Sequence, residues 1–139
     1  MYSTVHSGGI NGLCAFSAKV EVDISRGLPS FDMVGKLSKE VTEARERVKV
    51  SLRNCDIDIP PMRITVNISP ANVKKSGTGY DLPIATGLLV ATGIISQSSI
   101  DNICVIGELS LDGHINPVQG ILPIVREAHL SGLSVCIVQ

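Results

Sequence analysis

Apolar and polar residues alternate along much of the first half of this chain. Val20, Val22 and Ile24 are interleaved with Lys19, Glu21 and Asp23, the period of two expected of a strand with one buried and one wet face. Ile64, Val66 and Ile68 repeat that pattern within a predicted strand over Arg63–Ser69. Tyr2–Ser7 and Ala15–Ile24 read as the arms of a hairpin joined by the glycine-rich SGGINGL, and RGLPS at Arg26–Ser30 breaks the pattern. A short strand over Phe31–Val34 ends at Gly35. The period then changes. Val41, Ala44, Val48 and Leu52 recur three or four apart while charged residues fill the other faces, which predicts an amphipathic helix over Ser38–Asn54. Glu43 stands one helical turn before Arg47, a pairing worth a few tenths of a kcal/mol (about 0.2–0.5).

The second half turns on KSGTGYDLP, Lys75–Pro83. Gly77 and Gly79 mark a shaped turn, Asp81 is placed to cap a helix, and Pro83 suits a first turn where its missing donor costs nothing. The helix expected over Leu82–Ile95 is apolar on most faces, as a buried helix is, and falls short of the roughly 20 residues that span a bilayer. Ser96–Ser99 is a polar break and Ile103–Gly107 an interior strand. Glu108–Ile115 forms a hairpin tipped by Asp112–Gly113, and a helix follows over Ile121–Ser131 with Gly132 at its C′ position. Val135–Val138 is a last strand. Strands and helices mix without regular alternation, so the class is α+β in one domain, residues 1–139.

Composition narrows the function classes. Twelve basic and 13 acidic residues give a net charge of −1, so no long-range field draws the chain to nucleic acid or anionic lipid. Cys14, Cys55, Cys104 and Cys136 lie far apart without metal-ligand spacing and are expected to be buried thiols in a reducing cytosol. His6, His114 and His129 are isolated, so no metal is assigned. No signal-peptide pattern opens the chain, and a cytoplasmic protein without a membrane partner is expected. Asn67–Ser69 fits the glycosylation pattern by accident, since it falls in a strand.

Longer runs carry a resemblance. VEVDISRGLPSFDMVG (Val20–Gly35), EARERVKVSL (Glu43–Leu52), PPMRITVNISPANVKKSGTGYDLPIATGLL (Pro60–Leu89) and GELSLDGHINPVQGILPI (Gly107–Ile124) resemble the N-terminal domain of the magnesium-chelatase-like competence family, ComM/YifB. The resemblance implies a bacterial cytoplasmic protein in which this domain precedes a AAA+ ATPase module, a ring-forming motor acting on DNA in natural transformation and recombination. It also implies a fold like the proteolytic domain of Lon protease and the C-terminal domain of the recombination protein RadA, shared with a ribosomal protein domain: a mixed sheet packed against two or three helices. ATP and magnesium are then expected only in a module beyond Gln139, because GxxxxGK[ST] is missing here. Gly35–Lys36 has no glycine five residues earlier, and the Gly77–Gly79 pair lacks the third glycine of a dinucleotide fingerprint.

Lon-like peptidases use a serine activated by a lysine. The matching stretches here are KSGTGYD and GELSLDGHINPVQGIL, which put Gly79 at the serine position and Leu122 at the lysine position. Ser76, Thr78 and Lys75 lie near, but neighbours on one loop rarely form a preorganised dyad. The expected role is therefore a non-catalytic accessory domain with no cofactor of its own. Its partner is its own AAA+ module, with DNA as a further candidate, and it is monomeric or weakly dimeric outside the full-length ring. The alternative is a stand-alone module binding nucleic acid or protein through Arg63, Lys74 and Lys75 beside the Gly77–Gly79 turn, with Tyr80 stacking on a base. Two tyrosines, two phenylalanines and no tryptophan argue against an extended single-strand groove.

Overall fold

A computed structural model describes the backbone of residues 1–139 and every side chain but that of Val135. The fold is α+β: a six-stranded mixed sheet, a separate two-stranded ribbon and three α-helices. β1 (Tyr2–Asn11) and β2 (Cys14–Ser25) form an antiparallel hairpin, and β2 also pairs antiparallel with β4 (Arg63–Ser69). β3 (Ser30–Val34) lies parallel to β4 at one edge. On the other side β5 (Ile103–Val105) runs parallel to β1, and β8 (Val135–Ile137) parallel to β5, giving the order β3-β4-β2-β1-β5-β8. β6 (Glu108–Leu109) and β7 (Ile115–Asn116) make the ribbon.

The alternation in β2 and β4 becomes the main core. Val20, Val22, Ile24, Ile64, Val66 and Ile68 are buried with Val5 on one sheet face, covered by α1 (Lys39–Asn54) and α2 (Asp81–Ala91). Each such side chain contributes roughly 1.5–3 kcal/mol relative to exposure. In α1 the Ser38 hydroxyl accepts from the Val41 amide at 3.4 Å as N-cap, and Val41, Ala44, Val48 and Leu52 form the buried stripe. α3 (Ile121–Leu130) covers the opposite sheet face, where Ile124 sits 2.7 Å from the point a Cβ on Gly8 would occupy. It closes a smaller core with Cys104, Ile106 and Ala128.

Several expectations need correction. Gly8 and Gly9 are not loop: β1 continues through them, pairing with Ser17 and Phe16, and only Gly12 and Leu13 turn the hairpin, with Gly12 at φ 65°. Gly9 is glycine because a Cβ there would lie 2.5 Å from the Tyr80 hydroxyl, a close approach rather than a turn. α2 stops at Ala91 instead of Ile95. Gly93 at φ 84° and Ile94 donate back to Val90 and Leu89, a Schellman termination that the apolar composition of the run hides. The cysteines are not uniformly buried: Cys14 and Cys55 are exposed, Cys136 is half-buried, and only Cys104 is in the core.

Candidate functional site

A cleft of about 620 Å³ opens beside the sheet where β1 outruns β5. One wall is Gly8–Ile10 of β1, the second is the loop Ser76–Tyr80, and the third is Pro117–Gly120 leading into α3. Ile106 and Ile124 supply apolar surface, while Glu40 and Glu108 supply charge. Of the lining residues two are acidic and none is basic.

The second wall is held by an ion pair. Asp81, fully buried, accepts from Arg47 Nε at 2.7 Å and Nη2 at 3.0 Å, and from the Leu109 amide at 3.0 Å. Arg47 also donates to the Glu40 carbonyl at 2.8 Å, so the Arg47–Asp81 pair ties α1, the start of α2 and, through Asp81, the β6 ribbon together. Burial pushes the Asp81 carboxyl up from its ordinary value and outweighs the opposing pull of Arg47 and the Leu109 amide. Asp81 is thus not the helix cap that its position suggests. Tyr80 occupies the N-cap, without a side-chain cap bond.

Gly79 is locked from both directions. Its carbonyl accepts from the Gly107 amide at 3.0 Å, and a Cβ on it would stand 2.9 Å from Ile106 Cγ1. Tyr80 is 2% exposed, its hydroxyl has no partner, and burial pushes the phenol well above its ordinary value. Glu108 is half-buried, and the Thr78 hydroxyl and the Asn116 carboxamide, 3.2 Å away, hold its carboxylate below the ordinary value. The third wall ends at Gly120, in a left-handed conformation at φ 79°, where α3 begins without a side-chain cap.

The residues proposed for a nucleic-acid surface are not brought together. Lys75 is fully buried, its Nζ donating to the Pro70 carbonyl at 2.6 Å, and burial with the nearby Lys36 pushes its amine below the ordinary value. Tyr80 is buried too and offers no face to a base. Arg63 is exposed, but it opens β4 beside Ser30, whereas Lys74 is exposed on the loop and Gly77 is half-buried at φ 81°. The loop pairs with the segment before α1 through a parallel bridge, Leu37 to Lys75, which turns Lys75 inward and leaves Lys36 and Lys74 exposed side by side. Leu122 is 79% exposed on α3 and does not line the cleft, although Gly79 does. Sequence reasoning missed Glu40, Glu108 and the end of β1. Nothing in the local pattern links them, because the cleft joins segments distant in the chain. Among the described residues no His, Cys, Asp and Glu group could hold a metal ion, and no helix is long and apolar enough to cross a membrane.

Residues 20–139 match the family described as Subunit ChlI of Mg-chelatase. The chain is 38% identical over 135 residues to Uncharacterized protein YifB of Escherichia coli, covering 97% of this chain and 27% of that protein. It is 38% identical over 127 residues to Competence protein ComM of Haemophilus influenzae, covering 91% and 25%. An uncharacterized protein of Mycobacterium bovis is 36% identical over 126 residues, covering 91% and 25%. The chain spans about a quarter of the length of these relatives. A family match across most of the sheet and all three helices, with YifB and ComM aligned along nearly the whole chain, means that it belongs to the Mg-chelatase subunit ChlI family.

Proposed function

We propose that this chain is a non-catalytic accessory domain of a magnesium-chelatase-like AAA+ ATPase, and that the whole protein works on DNA in transformation and recombination. The carrying observation is the state of the two positions that correspond to a Lon-like serine and lysine. Gly79 is packed beneath Ile106, and Leu122 projects from α3 without lining the cleft. The neighbouring groups do not replace them, since the Lys75 amine is held by the Pro70 carbonyl away from the cleft. The competence name of one relative supports the cellular role. The purified chain should turn over neither casein nor ATP. Turnover that disappears in Ser76→Ala would reject the non-catalytic reading.

The side-by-side placement of Lys36 and Lys74 favours a DNA contact in the assembled protein. Every phosphate that a lysine no longer neutralises should reduce the salt slope of binding by about 0.7–0.9. Replacing both lysines by alanine in a protein that carries the ATPase module should therefore flatten that slope by the equivalent of one to two phosphates. An unchanged slope would remove DNA from the role of this domain.

A further inference from the structure

We propose that the cleft beside β1 binds an extended peptide segment carrying a basic side chain, which pairs with the unaccompanied end of β1 and sets its cation against Glu108 and Glu40.

The backbone directions follow from the hairpin. Asn11 and Cys14 close a two-residue turn, so their main-chain groups face each other and alternate residues back along β1 face away from β2. Thr4 lies on that outward side: its amide meets no strand but donates to the Gln97 carboxamide at 3.0 Å, and its carbonyl accepts from the same side chain at 2.8 Å. His6 is next outward and pairs with Cys104, the single register pair between β1 and β5. Gly8 and Ile10 come next on the same side. There the chain after β5 has turned away, with the Gly107 amide donating to Gly79. Among the described residues no strand pairs with β1 beyond His6 on the side away from β2, and Gly8–Ile10 line the cleft. An incoming extended segment can add to such a strand end by main-chain pairing.

The rest of the cleft suits a peptide rather than an anion. Tyr80 packs its buried hydroxyl against Gly9, backing that wall, and α3 starts at Gly120 with no side chain capping its amides. The uncapped amides at the start of α3 can serve a peptide carbonyl. The carboxylates of Glu40 and Glu108 repel phosphate, and no basic residue lines the cleft to balance them. A lysine or arginine side chain supplies the missing charge.

The test uses the purified chain and capped heptapeptides of alternating valine and threonine with a central lysine. Backbone amide NMR shifts should concentrate at Gly8–Ile10, Thr78 and Gly120. A central glutamate should weaken binding about threefold to fivefold, the scale of a partly exposed ion pair. Methylating the peptide's alternate backbone nitrogens should weaken it at least tenfold, because main-chain pairing is lost. Glu108→Gln should narrow the lysine-over-glutamate preference. Because the peptide series leaves the protein unaltered, the outcome does not depend on any variant folding. The proposal is overturned if the lysine peptide does not bind at millimolar concentration, if lysine and glutamate peptides bind equally, if methylation has no effect, or if a single-stranded oligonucleotide displaces the peptide from these residues.

Discussion

The sheet's two faces are finished to different standards. On one, α1 and α2 cover Val5, Val20, Val22, Ile64, Val66 and Ile68, and its one deeply buried acid, Asp81, meets a two-pronged arginine and a backbone amide. On the other, α3 covers only part of the surface, its core is small, Leu122 and Leu130 project outward, and the cleft runs along its start. The first face specifies the fold. The second can carry a ligand site because its walls are not used up by packing. The Tyr80 hydroxyl, which is unpartnered, marks where the two regions meet.

The sharpest way to break the first face is to leave its acid alone. Arg47→Met should cost about 3–5 kcal/mol at neutral pH, read by urea unfolding, because it strands a buried carboxylate. Without Arg47, burial raises the folded-state value of Asp81 further, so the folded form holds its proton more tightly than the unfolded chain. The variant should then be most stable below the unfolded carboxylate value, near 4, and lose stability as pH rises through the raised folded value. A loss that is the same at pH 4 and pH 7 would count against this account.

Matched truncations compare the two cores directly. Leu88→Ala, under α1 and the sheet, and Ile124→Ala, beside the cleft, both fall in the range of about 2–5 kcal/mol, with Leu88 near the top. Water can enter from the cleft and relieve the Ile124 cavity. Equal losses would mean that the second face is packed as tightly as the first.

The smallest contrast separates adjacent lysines. Lys75→Ala should cost about 2 kcal/mol, since it removes a buried stem and strands the Pro70 carbonyl, while Lys74→Ala should stay within about 0.5 kcal/mol. Similar melting temperatures for the two would show that Lys75 is not buried in solution.

How legible all this was follows from the range of each interaction. Strands and helices that carry their own period, such as Val20–Ile24 or Val41–Leu52, are written locally, and burial merely selects their face. Asp81 is different. An aspartate before a proline in a first turn looks like a cap whatever its partner, and Arg47 lies 34 residues away. Lys75 reads as a solvated loop charge because the bridge to Leu37 that turns it inward leaves no local pattern. The glycines at 8 and 9 read as a turn for the same reason: the aromatic hydroxyl that requires Gly9 to be small comes from Tyr80. The catalytic positions were legible by resemblance, but the cleft around Gly79 was not, since its lining comes from five separate segments.

The lone register pair between His6 and Cys104 also divides the molecule in time. β3, β4, β2 and β1 are joined by long ladders drawn from residues 2–69, whereas β5 and β8 join the sheet through that one pair. Such a seam is where a cooperative unit detaches below the global unfolding free energy. Amide hydrogens of β5 and β8 should therefore exchange as a group before those of β2 and β4, and a segment seated along the end of β1 would slow that group first.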